Sequence, residues 1–248
     1  MSEQPTRFIC YKWGHKYPAL YVNRLYSMIK NNYKRPFVMH CITDDGIGID
    51  SNVVIEDLDK LSSFRGSSTT MFTIEKVSAF RYGFLNCAGP YVLLDLDILI
   101  QNDLTDYLNE SYNFSEFRMI NNYWAPHDAV IKAYGHSYCS INSSFVTWKE
   151  DQAHHLYNYY KKNIDKISRV YWSLDHALYY LNENQYGFHP SGIVYSYNAG
   201  AEWPDDVEVG LYRKDYKICI FNNSHGHGFD LPDTKGWAKD MWVQYDNT

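Results

Sequence analysis

The amino-acid sequence predicts an α/β fold with a single domain, and three observations support this class. A strand, a helix and a second strand open the chain, an order that favours a parallel βαβ unit. The apolar segment at residues 91–100 predicts a further buried strand in mid-chain. The 248 residues contain no internal repeat and no linker, and this length fits one large α/β domain. We therefore expect residues 1–248 to form one domain.

The opening βαβ unit predicts where a ligand would bind. We expect a strand at residues 7–11, a helix at 16–32 with Pro18 in its first turn, and a strand at 36–43. A turn signal follows at Asp44, Asp45 and Gly46. Because ligands bind at the carboxyl ends of parallel strands, residues 11–14 and 43–45 are predicted to border one crevice.

The rest of the chain alternates between predicted strands and helices. An irregular stretch at 50–69 precedes a helix at 70–85, which carries Lys76 and Arg81, and a strand at 91–97. We then expect a short strand and helix at 98–108, strands at 115–120, 141–149 and 215–221, and helices at 150–164, 172–184 and 233–242. Residues 121–140 lack periodicity, and residues 222–232 predict a Gly/His loop.

The composition excludes one class of function and favours another. The net charge is −6 and the isoelectric point about 5.9, so the chain is not a nucleic-acid binder. Aromatic residues make up 17%, with 24 Tyr and 7 Trp. These side chains combine flat apolar faces with polar groups, as carbohydrate and nucleotide sites require. A Tyr-rich surface or core without a ligand is the alternative interpretation.

The cysteines and the apolar segments predict a cytoplasmic protein. The five cysteines include no pair at CxxC spacing, which favours reduced thiols. No apolar stretch approaches the roughly 20 residues of a membrane-spanning helix. The N-terminal residues MSEQPTR lack the apolar core of a signal peptide. We expect no transmembrane segment.

Two carboxylates, Asp95 and Asp97, interrupt the apolar strand in mid-chain. Alternation along a strand would place both on the same side of the backbone. Two like charges on one apolar face repel each other unless a cation lies between them. A hard divalent cation that also binds phosphate fits this pattern. A strand end with two solvated aspartates is the alternative.

Two classes of enzyme use a strand-end Asp-x-Asp motif on an α/β sheet. Phosphohydrolases of the haloacid dehalogenase type carry it near the N-terminus and need a later paired-Asp metal motif, which we do not identify in this sequence. Nucleotide-sugar glycosyltransferases carry it in mid-chain after a nucleotide-binding half. The position of Asp95 therefore favours the second class.

Four segments, FICYKWGHKY, FVMHCITDD, IEKVSAF and YVLLDLDILI, occur in an order that resembles a group of bacterial and viral GT-A glycosyltransferases. The likeness to the glycogenin-like retaining transferases is more distant. The resemblance implies a GT-A type, Rossmann-like mixed sheet flanked by helices. It further implies a nucleotide-binding half at about 1–100 and a sugar and acceptor half at about 101–248. The implied activity is hexosyl transfer from a UDP-sugar, such as UDP-glucose or UDP-galactose, with retention.

The resemblance also implies roles for individual residues in binding the donor. Lys76 would meet sugar or phosphate oxygens, although a surface lysine on a solvated helix is the alternative. Tyr17 would stack on the base. For both Trp13 and Tyr17, ordinary packing at the start of a helix is the alternative. The residues implied to hold the base and ribose are Tyr11, Lys12, Trp13, Gly14, Tyr17, Asp44 and Asp45.

The same resemblance implies a metal site and a sugar site. Asp95 and Asp97, with Leu96 between them, would hold Mn²⁺ or Mg²⁺ on the donor diphosphate, and His225 or His227 would complete the site. We prefer His225, with a plain Gly/His turn as the alternative. The residues implied to contact the sugar are Asn142, Ser143, Ser144 and Asp175, of which Asn142 and Asp175 are the catalytic candidates. Asp175 as an ordinary helix-start residue is the alternative.

The leading hypothesis is therefore a metal-dependent glycosyltransferase. A non-catalytic carbohydrate- or nucleotide-binding module is the alternative from another class, and a phosphohydrolase is the third. Nothing in the sequence identifies the acceptor, which is a glycan, a lipid or a protein.

Overall fold

The fold is seen in a computed structural model that describes residues 4–64, 72–87, 89–111, 116–125, 139–182, 184–222 and 230–246. Its strands, in chain order, are β1 (Thr6–Lys12), β2 (Phe37–Thr43), β3 (Val54–Asp57), β4 (Pro90–Leu94), β5 (Ile98–Ile100), β6 (Arg118–Asn121), β7 (Ile141–Lys149), β8 (Gly187–Phe188), β9 (Val194–Ser196) and β10 (Ile218–Ile220). Its α-helices are α1 (Ala19–Asn32), α2 (Leu58–Leu61), α3 (Thr105–Ser111), α4 (His154–Ile167), α5 (Leu174–Leu181) and α6 (Trp237–Val243), with 3-10 helices at Phe72–Phe80 and Leu231–Asp233.

Seven strands form a mixed sheet in the order β3-β2-β1-β4-β7-β6-β8. The pairs β2–β3, β1–β2 and β1–β4 are parallel, whereas β7 runs antiparallel to both β4 and β6. A second sheet has the order β5-β10-β9. Since β4 and β5 belong to different sheets, residues 95–97 connect the two sheets. This architecture confirms the predicted mixed α/β fold with flanking helices.

Apolar clusters cover both faces of the main sheet. Side chains of β1 alternate between them, with Phe8 and Cys10 in one cluster and Ile9 and Tyr11 in the other. The first cluster joins α1 and the second sheet to the main sheet, and the other joins it to the 3-10 helix Phe72–Phe80, α4 and α5. A sheet buried on both faces explains the near-continuous apolar sequence of β4.

The observed elements confirm most of the predicted ones. The βαβ opening has the predicted order, and β7 has the predicted bounds. The helix predicted at 70–85 is instead a 3-10 helix at Phe72–Phe80, in a segment whose β-branched and aromatic residues disfavour an α-helix. The strand predicted at 91–97 ends at Leu94, so Asp95 and Asp97 do not share a face by strand alternation. The short strands β3, β8 and β9 and the short helix α2 were not predicted.

The described residues also bear on the cysteines and on membrane insertion. All five cysteines are free thiols, and Cys10, Cys41 and Cys219 are buried. No helix in the described part of the chain has the length and apolar character needed to cross a bilayer.

Candidate active site

Asp95 and Asp97 lie just beyond the carboxyl end of β4, in the connection between the sheets. The backbone amide of Asp95 donates to the Ser144 carbonyl at 3.0 Å, which ties this connection to β7. The Asp97 carbonyl accepts from the Phe221 amide at 3.3 Å, just after β10. The two aspartates are thus fixed by backbone contacts to both sheets.

The Asp95 carboxylate is held by two side chains from separate elements. The Lys76 ammonium lies 2.6 Å from Oδ1 of Asp95, and the Ser144 hydroxyl donates to Oδ2 at 2.8 Å. Lys76 also donates to the carbonyl and hydroxyl oxygens of Ser143, at 3.3 and 3.2 Å. Lys76 is buried, so it is not the solvated surface lysine of the alternative interpretation.

A second carboxylate, that of Asp175 at the start of α5, also acts on the charge of Lys76. Burial lowers the pKa of Lys76, but the charges of Asp95 and Asp175 outweigh it and raise that pKa above its ordinary value. Burial raises the pKa of Asp175 despite the opposing effects of Lys76 and Ser143. Oδ1 of Asp175 is buried and accepts no hydrogen bond from the described residues. Asp175 is not among the residues that line the two cavities of the site.

The Asp97 carboxylate is held by Tyr17, whose hydroxyl donates to its Oδ2 at 2.7 Å. Burial and the neighbouring charge of Asp95 raise the pKa of Asp97, and the Tyr17 hydrogen bond opposes this shift. The Tyr17 ring packs edge-on against Tyr21, with 5.0 Å between ring centres. The structure therefore gives Tyr17 a different contact from the base stacking that the resemblance implies.

The aspartates lie on a wall shared by two cavities. One has a volume of about 530 Å³ and a largely aromatic and apolar lining of Tyr11, Trp13, Lys16, Tyr17, Thr73, Lys76, Asp95, Leu96 and Asp97. The other has a volume of about 260 Å³ and a polar lining of Lys16, Asp95, Asp97, Asn142, Ser144, Phe221, Asn222 and Asp230. A ligand that spans both cavities would pass the carboxylates.

The turns after β1 and β2 meet as the sequence predicts. The Gly14 amide donates to Oδ2 of Asp44 at 3.1 Å, and Lys12 donates to the Asp45 carbonyl at 2.9 Å. Oδ1 of Asp45 accepts from the Ile47 amide within its own turn. Gly14 has a φ of +63°, a left-handed conformation that favours glycine. The contacts of these residues build the turns, and none of Lys12, Gly14, Asp44 and Asp45 is among the residues lining the two cavities.

Sequence reasoning missed five residues that line the cavities: Lys16, Thr73, Phe221, Asn222 and Asp230. Lys16 falls within the FICYKWGHKY segment, but the sequence does not distinguish a lysine in a turn from an ordinary solvated residue. Phe221 and Asn222 follow β10, and the pairing of β10 with β5 brings them beside Asp97. A long-range antiparallel pairing of this kind leaves no local signal in the sequence.

The residues at the wall fit a divalent cation in their donor chemistry. Each carboxylate oxygen has two lone pairs, so Asp95 and Asp97 retain acceptor capacity beyond their contacts to Lys76, Ser144 and Tyr17. Carboxylate oxygens are the donors that Mg²⁺ and Mn²⁺ prefer. Among the described residues, no group of three or more His, Cys, Asp or Glu side chains is arranged to hold a metal. The predicted ligands His225 and His227 lie outside the described residues.

Comparisons with known proteins establish the fold. No family model and no curated protein match the sequence. The chain is similar in structure to the galactosyltransferase LgtC in complex with donor and acceptor sugar analogues, with a TM-score of 0.61, 10% identity, and coverage of 97% of this chain and 95% of LgtC. It is also similar to the apo form of glycosyltransferase GlyE of Streptococcus pneumoniae TIGR4, with a TM-score of 0.58, 12% identity, and coverage of 99% of this chain and 61% of GlyE. A third similar structure is apo mouse xyloside xylosyltransferase 1, with a TM-score of 0.51, 12% identity, and coverage of 92% of this chain and 100% of that protein. The chain thus has the GT-A type fold of these glycosyltransferases, as the sequence predicts.

Proposed function

We propose that this protein is a metal-dependent glycosyltransferase that transfers a hexose from a nucleotide-diphosphate sugar to an acceptor. The observation that carries the proposal is the position of Asp95 and Asp97 on the wall between an aromatic and a polar cavity. A nucleotide sugar has the same order of parts: an aromatic base, a charged diphosphate and a polar sugar. The GT-A fold supports the same conclusion by analogy.

The aromatic cavity suits the base and ribose of the donor. Tyr11 and Trp13 lie edge to face with 6.0 Å between ring centres, and both line this cavity. A planar base gains about 1–3 kcal/mol from stacking on an aromatic side chain. We propose UDP as the nucleotide because of the family resemblance, with Trp13 rather than Tyr17 as the stacking residue.

The polar cavity suits the transferred sugar. Asn142 and Ser144 on β7 and Asn222 after β10 offer hydrogen-bonding groups to hydroxyls, and Phe221 offers an aromatic surface. The amide oxygen of Asn142 accepts from the Ser144 amide at 2.8 Å, which leaves its amino group for a ligand. Asp175 does not line this cavity, and it acts on the site through the charge of Lys76.

The chemistry of transfer defines what these residues must do. The bond between the anomeric carbon and the diphosphate oxygen breaks, and its electron pair remains on the diphosphate. The acceptor oxygen forms the new bond to that carbon and releases its proton to solvent. A divalent cation bound by Asp95 and Asp97 supplies Lewis-acid stabilisation of the departing diphosphate. Lys76, Ser144 and Tyr17 hold these carboxylates in place. Retention of configuration is proposed from the glycogenin-like resemblance.

A panel of nucleotide sugars assayed with Mn²⁺ tests the proposal, with released nucleotide as the readout and NMR of the product's anomeric proton for stereochemistry. The double variant Asp95→Asn, Asp97→Asn should lower turnover by about a thousandfold or more, because metal-ion stabilisation contributes several kcal/mol. Asp215→Asn, at an exposed position that lines neither cavity, is the matched control. Full activity of the double variant would refute the proposal.

Binding experiments separate the proposal from the two alternatives. Calorimetric titration with UDP should show binding that requires Mn²⁺, whereas glycan binding without metal-dependent UDP binding would indicate a carbohydrate-binding module. A phosphohydrolase would instead use Asp95 as a nucleophile. A phosphoaspartate trapped at Asp95 would support the hydrolase.

A further inference from the structure

Lys16 is the basic side chain that both cavities share. Within the described part of the chain, the residues common to the two linings are Lys16, Asp95 and Asp97. Lys16 lies in the turn between β1 and α1, and its Nζ is 4.6 Å from the centre of the Tyr17 ring. Since the Tyr17 hydroxyl donates to Asp97, this cation–π contact places the ammonium beside the carboxylate wall.

Lys16 is exposed and its charge opposes the rise in the pKa of Asp97, but its ammonium has no hydrogen-bond or ion-pair partner among the described residues, unlike those of Lys12 and Lys76. Lys12 donates to the Asp45 carbonyl at 2.9 Å, and Lys76 pairs with Asp95 at 2.6 Å. The Lys16 ammonium, by contrast, makes no hydrogen bond or ion pair with the residues that the structure describes, and the Tyr17 ring is its contact. Its donors are therefore available to a ligand that enters between the cavities.

A cation bound at Asp95 and Asp97 would repel Lys16 unless an anion lay between them. Two unit charges 4 Å apart interact by about 1 kcal/mol in water and about 4 kcal/mol near a protein surface. An anion with several oxygens converts this repulsion into two attractions, because it can bind the metal and the ammonium together. A diphosphate has that charge and that number of oxygens.

We propose that Lys16 binds the diphosphate of the donor and stabilises the negative charge that grows on it during transfer. This assignment rests on the proposed function. As the bond to the anomeric carbon breaks, its electron pair stays on the diphosphate oxygen, and the protonated Lys16 donates hydrogen bonds to the departing group. Lys16 keeps its proton throughout, so its role is electrostatic.

The test measures binding of inorganic pyrophosphate in the presence of Mn²⁺ by calorimetry, a probe that does not depend on the base or the sugar. Lys16→Met should weaken binding by about tenfold or more, since loss of roughly 1.4 kcal/mol is tenfold in affinity. Lys16→Arg should stay within about threefold of the wild type because it keeps the charge. Lys30→Met, at an exposed lysine that lines neither cavity, should bind as the wild type does.

A second titration with Mn²⁺ alone distinguishes the proposal from a structural role of Lys16 in holding Asp97 in place. Under the proposal, Lys16→Met binds Mn²⁺ as tightly as the wild type or more tightly, because a neighbouring positive charge is gone. If Lys16→Met binds pyrophosphate as the wild type does, the Lys16 assignment is overturned but the proposed function is not. Weaker Mn²⁺ binding in Lys16→Met would also overturn the assignment. If wild-type protein binds pyrophosphate equally with and without Mn²⁺, the proposed function fails and the Lys16 assignment fails with it.

Discussion

The two cavities differ in chemistry although they share a wall of two carboxylates. The larger one takes its aromatic lining from Tyr11 in β1 and from Trp13 and Tyr17 in the turn that follows. The smaller one takes its polar lining from β7 and from residues after β10, at Asn142 and Asn222. Under the proposed function, the base of the donor would occupy the larger cavity and its sugar the smaller one, with the diphosphate at Asp95 and Asp97.

The largest expected effect comes from Lys76→Met, which removes the ammonium group that pairs with Asp95. Lys76 is buried and pairs with Asp95, and the charge of Asp175 also acts on it, so its loss leaves two carboxylates without this neighbouring positive charge. We expect unfolding free energy to fall by about 3 kcal/mol, the lower end of the range for breaking a buried pair, because Asp95 is 26% exposed. Denaturation in urea measures it.

The matched control for Lys76 is Lys60→Met. Lys60 also pairs with an aspartate, Asp57, at 3.2 Å, but both side chains are exposed. An exposed pair contributes little to stability, so this variant should unfold as the wild type does. Equal stability of both variants would show that Lys76 is not the electrostatic support of the wall.

The sequence singles out Asp95 and Asp97, but it does not predict the contacts that hold their side chains in place. Asp95 and Asp97 stand out because charges are rare in a strand buried on both faces. Their shared orientation was predicted from strand alternation, but the strand ends at Leu94 and the connection between sheets sets it instead. A sequence pattern shows the alternation of side chains along a strand. The residue at which the strand leaves its sheet depends instead on pairing with strands that are distant in the sequence.

Tyr17 and Asp230 show the limits of prediction from the sequence at the site itself. Tyr17 was predicted as a site residue, but its hydroxyl reaches a residue 80 positions away, and no local pattern encodes that contact. Asp230 joins the polar lining from the far end of the chain. The turns at Gly14 and Asp44, by contrast, could be predicted to meet because parallel strands bring their carboxyl ends to one edge.

The next largest effect tests which of the two cavities binds the base of the donor and which binds the sugar. Trp13→Leu should weaken UDP binding by about tenfold, because stacking on an aromatic side chain contributes about 1–3 kcal/mol per base. Asn142→Ala, in the polar cavity, should leave UDP binding unchanged and lower the turnover of the complete donor. Calorimetry with UDP and steady-state kinetics with the nucleotide sugar provide the two readouts. The opposite pattern would assign the base to the polar cavity.

The smallest expected effect is a pH-dependent stabilisation by Mn²⁺ at the wall. Burial and the charge of Asp95 raise the pKa of Asp97 in the folded chain above its unfolded value of about 3.8. Without metal, the folded chain therefore holds an extra proton between these two pKa values, and its stability falls as pH rises through that window. Mn²⁺ takes the place of that proton, so its stabilising effect must grow over the same window and disappear on acidification.

Thermal unfolding with and without Mn²⁺ at several pH values measures this effect. At ten times its Kd, Mn²⁺ adds about 1.4 kcal/mol. In a domain of this size, each kcal/mol raises Tm by about 2–4 °C. Asp97→Asn cannot titrate, so it should show no pH-dependent gain and little gain at any pH. A Mn²⁺-induced shift that is equal in the wild type and Asp97→Asn would place the metal away from the wall, and the two cavities would then lose the charged boundary that relates them to a nucleotide sugar.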